Sequence, residues 1–274
     1  MGQLSVPTYI VKTIRPKQSL GQNFLRDENI ARKIVGSMEI HPNDLVLEIG
    51  PGEAALTKHL AQLTDRLIVV DVDRRVIERM QEMYPNGEVE VQHSDFLQSD
   101  FAAILQERDS ATLRIVGNIP YNITSPILFH ILDNRSHVSD ATLMIQKEVA
   151  RRLVAQPGTK DYGILAVSCQ IFTDVGLLFD VSPKCFFPSP KVTSSVIRMK
   201  ILPQPRYALH DEAFFRSMVR AVFGKRRKTL RNSLSYFLDP LPSIPERFDL
   251  SRRPEDLSLR ELAELGNILA TKRA

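Results

Sequence analysis

One stretch limits the possible folds more than any other. Leu45 to Ile49 (LVLEI) reads as a short, mainly apolar strand. Gly50-Pro51-Gly52 ends it, and Ala54 to Leu63 reads as a helix. Strand, glycine-rich turn and helix in that order open a nucleotide-binding α/β unit. Gly50 and Gly52 let the backbone approach a ligand closely. The fold expected from this start is α/β.

The residues that follow extend the pattern. Leu67 to Val70 is a second strand closing on Asp71-Val72-Asp73, and Arg74 to Tyr84 is a helix. An acid at the end of a second strand can take a ribose diol bidentately. Val89 to Gln92 is a third strand, followed by His93-Ser94-Asp95-Phe96, where Asp95 can accept from an adenine amino group. Gly50-x-Gly52-x-x-Ala55 with Asp71 also fits a dinucleotide fingerprint, but a lone match of that kind is weak. Three features favour S-adenosylmethionine: Glu48 just before the turn, available to the amino-acid end of a ligand; Pro51 in the middle of the turn; and Asp95 after the third strand.

Leu113, Ile115 and Val116 form a fourth strand that stops at Gly117, and Asn118-Ile119-Pro120-Tyr121 follows. Pro120 fixes its own φ and pushes Ile119 towards an extended conformation. Asn118 offers an amide acceptor and donor, and Tyr121 a flat ring with a polar tip. Oδ1 of Asn118 and the Ile119 carbonyl can accept from a planar exocyclic amine while Tyr121 stacks on its ring. A strand-end turn with a buried tyrosine fits the same residues when they are read alone.

Further along, the pattern predicts helices at 126–132, 147–154 and 164–172, a fifth strand at 141–146, and strands 175–181 and 194–201 as a hairpin pair at one sheet edge. The loop Pro157 to Gly163 is a candidate gate or substrate contact. Pro183 to Val192 contains three prolines, which hold it extended and leave Phe186 or Phe187 as a candidate stacking plate and Lys191 as a phosphate contact. With Tyr121, two aromatic plates suggest a slot for an unstacked base.

Asp27 opens an early helix with apolar positions Ile30, Ile34, Val35 and Met38. Gln22 and Asn23 lie just before it, where a ligand can meet them. Near the other end, Arg216, Arg220, Lys225, Arg226, Arg227, Lys228 and Arg231 form a basic cluster with no acid between 216 and 231. Net charge is only +4, so the clustering rather than the total points to phosphates. Ser258-Leu259-Arg260-Glu261 is a capping box for a last helix, 259–270. No apolar run approaches the ~18 residues a membrane span needs. The two cysteines, Cys169 and Cys185, match no zinc spacing, and no metal is expected. A cytoplasmic protein is expected.

In order along the chain stand Gly21-Gln22-Asn23-Phe24-Leu25, Glu48-Ile49-Gly50-Pro51-Gly52, Asn118-Ile119-Pro120-Tyr121, Phe186-Phe187-Pro188-Ser189-Pro190-Lys191-Val192 and Lys225 to Asn232. With these motifs the sequence resembles the ribosomal RNA adenine dimethyltransferases, most closely the bacterial small-subunit (16S) branch, from about Lys17 to the last helix. The resemblance implies a seven-stranded, mostly parallel Rossmann-like sheet with a small all-α C-terminal domain. The expected division is a flexible basic arm at 1–17, a methyltransferase domain at 18–202 and a helical RNA-binding domain at 203–274. It implies S-adenosyl-L-methionine bound by Asn23, Leu25, Gly50, Asp71, Asp95 and Asn118. It places Asn118, Tyr121 and Phe186, rather than Phe187, at the target base.

The implied reaction adds two methyl groups to N6 of each of two adjacent adenosines near the 3′ end of 16S RNA, within the small ribosomal subunit and in the course of its biogenesis. A monomer is expected. The chain departs from the family in having Asp71 where Glu is usual; Asp73 is a poorer substitute, because it matches the family's following Asp. Three alternatives stay open: the sister branch that modifies large-subunit RNA, an assembly factor for which methylation is secondary, and the branch of relatives that serve as mitochondrial transcription factors. The Lys225–Asn232 pattern argues against the first, and the intact Asn118–Tyr121 site against a purely structural form of the second.

Overall fold

The computed structural model describes residues 14–225 and 228–273. Among them nine strands are formed: β1 (Phe24–Leu25), β2 (Leu45–Ile49), β3 (Leu67–Asp71), β4 (Glu90–His93), β5 (Leu113–Asn118), β6 (Val138–Gln146), β7 (Thr173–Val181), β8 (Phe186–Phe187) and β9 (Ser194–Ile201). Seven make one sheet in the order β4-β3-β2-β5-β6-β9-β7. The pairs from β4 to β6 are parallel, and β9 runs antiparallel between β6 and β7. The expected hairpin pair is therefore found at the expected edge. β1 and β8 pair antiparallel in a separate two-stranded ribbon.

The helices are α1 (Glu28–Gly36), α2 (Thr57–Leu60), α3 (Arg74–Met83), α4 (Phe101–Glu107), α5 (Thr124–Asp133), α6 (Lys147–Leu153), α7 (Ile164–Gln170), α8 (Glu212–Phe223), α9 (Leu230–Ser235) and α10 (Leu259–Arg273). Asp27, Asp73, Asp100 and Asp211 start α1, α3, α4 and α8 by accepting backbone N–H bonds at the helix entrances. The capping box at Ser258 forms: Glu261 N donates to Ser258 Oγ at 3.2 Å, and Ser258 N to Glu261 Oε2 at 2.7 Å. The helix expected at 54–63 is reduced to the single turn of α2, because Ala54 takes a left-handed φ of 63° and keeps 51–56 as a loop. Helix α4 lies where the sequence pattern predicts none.

The central strands β2, β3 and β5 are almost continuously apolar because both faces of the sheet are covered there, whereas the edge strands β4 and β7 are more polar and more exposed. Alternate residues supply two cores. Leu45, Leu47, Ile49, Ile68, Val70, Leu113 and Ile115 face the layer holding α5, α7, α8 and α10. Val46, Leu67, Val69 and Val116 face the layer of α1, α3 and the β1–β8 ribbon. Arg114 breaks this alternation. Its guanidinium, in a residue only 8% exposed, meets Asp140 at 2.8 Å and Asp44 at 2.7 Å, and Asp140 also receives Arg198 at 2.8 Å. Phe214, Phe215, Met218, Val219 and Val222 of α8 join the same core as the strands, so the C-terminal helices are packed continuously onto the sheet. Among the described residues no helix is long and apolar enough to cross a membrane.

Candidate active site

Parallel strands release their chain at one edge, and the loops following them define a common crevice there. A cavity of about 270 Å³ lies at that edge. Its walls come from the ends of β2 (Ile49, Gly50), β3 (Asp71, Val72), β4 (Ser94, Asp95) and β5 (Asn118 to Tyr121), with Ser19 to Phe24 as a further wall. Of the residues expected at a cofactor, Asn23, Gly50, Asp71, Asp95 and Asn118 line it. Leu25 does not; it is 4% exposed and paired with Phe186 in the ribbon.

The glycines are required by geometry. Gly52 has φ +56°, and a Cβ there would stand 2.8 Å from the Phe24 ring. Gly50 has φ +66°, and a Cβ there would stand 3.9 Å from Asp71 Oδ2, in space that a ligand can use instead. Burial pushes Asp71 up to about 6, the Asp73 charge adds to this, and a hydrogen bond from Asp73 N at 2.7 Å to Oδ1 opposes it. Asp95 accepts from Leu97 N at 3.0 Å. Val72 on the cavity wall is 50% exposed, an apolar surface standing in sequence between Asp71 and Asp73 that sequence reasoning did not single out.

Glu48 takes a different place from the one expected. It is 1% exposed, is not part of the cavity wall, and accepts from Thr57 Oγ1 at 2.7 Å. Burial pushes it up to about 8, the Thr57 bond opposes the rise and Asp71 adds a smaller one, which together favour the protonated form. As the fourth residue of β2 it points into the layer of α2, because a strand alternates its faces.

Asn118 ends β5. Its Nδ2 donates to the Asn23 carbonyl at 2.7 Å, which fixes the amide and leaves Oδ1 as the end available to a ligand. Ile119 N is committed to the Met144 carbonyl at 3.0 Å. Tyr121 is held by a 2.8 Å hydrogen bond between its hydroxyl and Ser194 Oγ; burial raises its pKa, with that bond working against the rise. Ser194 lies 73 positions away and carried no sequence signal.

The two phenylalanines of the proline-rich loop separate. Phe186 is buried at 5% in the second core, behind the cavity rather than on its wall. Phe187 is 52% exposed, with the Arg26 guanidinium 5.1 Å from its ring centroid. The loop 157–163 is not on the cavity. Tyr162 is fully buried edge-on to Phe223 at 5.9 Å, and Gly158 N donates to Glu255 O at 2.7 Å. The segment is tied to the C-terminal part of the chain and lies away from the cavity it was expected to gate.

In the basic cluster Arg216 pairs with Asp133, while Lys225, Lys228 and Arg231 are exposed. Arg226 and Arg227 lie outside the described residues. So does most of the basic arm, 1–13. Its described end is pinned: Ile14 is buried at 7%, and Lys17 Nζ reaches Asp73 at 3.3 Å.

This cavity, with an asparagine acceptor and a tyrosine at the end of β5, acids after β3 and β4 and a glycine turn after β2, suits a nucleoside cofactor and a flat amine substrate. Comparison with known proteins agrees. Residues 14–240 match the family model described as ribosomal RNA adenine dimethylase. The chain belongs to the ribosomal RNA adenine dimethylase family. A protein named ribosomal RNA small subunit methyltransferase A from Chlorobium phaeobacteroides (strain BS1) is 48% identical, over 92% of this chain and 93% of the relative. One of the same name from Aromatoleum aromaticum is 43% identical, over 94% and 96%. Among solved structures, a dimethyladenosine transferase from Plasmodium falciparum is similar with a TM-score of 0.76 and 25% identity, covering 91% of this chain and 98% of that one. The 23S rRNA methyltransferase ErmE gives 0.69 and 26%, over 90% and 100%. The family is one of methyltransferases built on a Rossmann-like fold, and this chain is a member in sequence and in architecture.

Proposed function

We propose that this protein transfers methyl groups from S-adenosyl-L-methionine to N6 of two adjacent adenosines near the 3′ end of 16S RNA, working as a cytoplasmic monomer on the small ribosomal subunit during its biogenesis. The observation that carries the reading is the fixed amide of Asn118. With Nδ2 bound to Asn23 O, Oδ1 is left to accept, and the carbonyl of Ile119, the next residue on the cavity wall, is the second acceptor this reading gives to the amine. Pulling on both hydrogens frees the nitrogen lone pair from its ring, so no strong base is needed before attack.

S-adenosylmethionine, when bound, supplies an electrophilic methyl group on sulfur. Gly50, Asp71, Asp95 and Asn23 would hold it, Asp71 at the ribose and Asp95 at the adenine amine. Tyr121 stacks on the target base, oriented by Ser194. The resemblance assigns the second plate to Phe186, and the exposure of Phe187 makes that ring its competitor. Positioning supplies most of the acceleration. The helices at 203–274 form the RNA-docking part beside the methyltransferase domain at 18–202, with Lys225, Lys228 and Arg231 on phosphates.

The test is methyl transfer from radiolabelled S-adenosylmethionine to under-methylated small subunits, large subunits and naked RNA, with nucleosides identified after digestion. N6,N6-dimethyladenosine from small subunits alone is expected. Label in large-subunit RNA would move the protein to the other branch. Binding to small subunits without transfer would leave only an assembly role.

A further inference from the structure

Asp73, a poor substitute for Asp71 at a ribose, has a different task in the structure. In a residue 2% exposed, its carboxylate receives Lys17 Nζ at 3.3 Å, Gln22 Nε2 at 3.0 Å, Arg75 Nε at 3.0 Å and Arg75 Nη2 at 2.5 Å. Its own N–H donates to Asp71 Oδ1 at 2.7 Å. Arg75 reaches on to the Arg15 carbonyl at 2.9 Å. The segment from Arg15 to Gln22 thus lies across the β3–α3 loop, fastened by one carboxylate, and its residues Ser19 to Gln22 are a wall of the cavity.

We infer that Asp73 is a positioning residue for the cofactor: it latches the 15–22 segment over the cavity and aims the Asp71 carboxylate. This rests on the methyltransferase reading above. A buried carboxylate with this many donors stays ionised. The Arg75 bond first, then Gln22 and Lys17, hold it far below the ordinary aspartate value. Removing its charge has two consequences. The latch loses both ion pairs, and Asp71 loses its nearest like charge. The other charged or titratable groups facing Asp71 are Arg75 on α3, His93 at the end of β4 and Glu48 on β2.

The test uses Asp73→Asn and Gln22→Leu in the full chain, with S-adenosylhomocysteine as probe in calorimetric titration from pH 5 to 8. In the wild type, affinity should rise with pH as Asp71, pushed up to about 6 by burial, loses its proton. Asp73→Asn should weaken binding about tenfold at pH 8 and move the pH midpoint to lower values. Gln22→Leu should weaken binding and leave the midpoint in place. Trypsin should cut after Lys17 at least tenfold faster in both variants than in the wild type, and added probe should restore protection only in part.

A folded Asp73→Asn protein with wild-type affinity and midpoint would overturn the inference. If that variant does not fold, unchanged affinity and cleavage in Gln22→Leu would do so. A wild-type protein that binds no S-adenosylhomocysteine would sink the underlying reading instead.

Discussion

Replacing Glu48 by glutamine separates a structural carboxyl from a ligand-binding one. Glu48 is buried in β2 and hydrogen-bonded to Thr57, and burial pushes its carboxyl from the ordinary 4.5 up to about 8. Between those two values the unfolded chain has released this proton and the native protein still holds it. Native protein therefore binds more protons than unfolded chain, and stability falls as pH rises through that window, levelling off above 8. Each pH unit is worth about 1.4 kcal/mol, so between pH 4.5 and 7 the loss is on the order of 3 kcal/mol. The glutamine side chain of the variant does not titrate and still accepts from Thr57. Asp71, also raised, contributes its own decline only up to about pH 6. The clean window is therefore pH 6 to 8. Urea unfolding should show wild-type stability declining there while Glu48→Gln stays flat. Affinity for S-adenosylhomocysteine should differ by less than threefold. Parallel stability curves would refute the burial argument, and a tenfold loss of affinity would return Glu48 to the ligand.

Asn118→Ala should lower transfer by about 10²–10³, the usual scale for one preorganised polar group at a reacting centre, while calorimetry still detects S-adenosylhomocysteine; transfer within tenfold of wild type would remove Asn118 from its role. Gly52→Ala must carry a side chain at φ +56° against the Phe24 ring, and should cost about 2–4 kcal/mol in urea unfolding from conformational strain and overpacking together. Phe186→Ala and Phe187→Ala distinguish the two candidate plates by initial rates on small subunits. Loss of kcat with Phe186→Ala is expected, with stability lowered by about 3–5 kcal/mol because that ring is core; loss of kcat with Phe187→Ala instead would transfer the stacking role.

Local signals carried most of the fold. LVLEI before a glycine turn, Asp27 at a helix entrance and the Ser258 capping box each report their own conformation within a few residues, and the parallel order follows once the strands alternate with helices. The cavity was legible for a related reason: Gly50, Asp71, Asp95 and Asn118 all stand at strand ends, and a parallel sheet gathers its strand ends. What the sequence did not show depends on contacts between distant positions. Glu48 precedes the turn as a ligand residue would, and only the facing of β2 reveals that it looks into the core. Ser194 beneath Tyr121, the Arg114–Asp140–Arg198 cluster and the latch at Asp73 have partners dozens of residues away. The loop at 157–163 reads as mobile from its glycines, yet Tyr162 anchors it in the core while Gly158 to Lys160 stay exposed.

The β1–β8 ribbon shows why two motifs read separately act as one. Phe24 pairs with Phe187, and Leu25 with Phe186. Arg26 N donates to Cys185 O at 2.7 Å, and Cys185 Sγ reaches Asp27 at 3.5 Å across 158 positions of sequence. The segment that walls the cavity therefore continues directly into β1, which is paired with β8, the strand that holds both candidate plates. Asn118 bonds the carbonyl of Asn23, one residue before that strand. A displacement of the 15–25 segment would thus reach the amine acceptor and the aromatic loop together. Disturbing the latch at Asp73 should then change more than cofactor affinity: its effect on transfer should be non-additive with that of Phe186→Ala, since both act through one rigid ribbon. Strict additivity of the two in log kcat would mean that the ribbon transmits nothing between the two sides of the site.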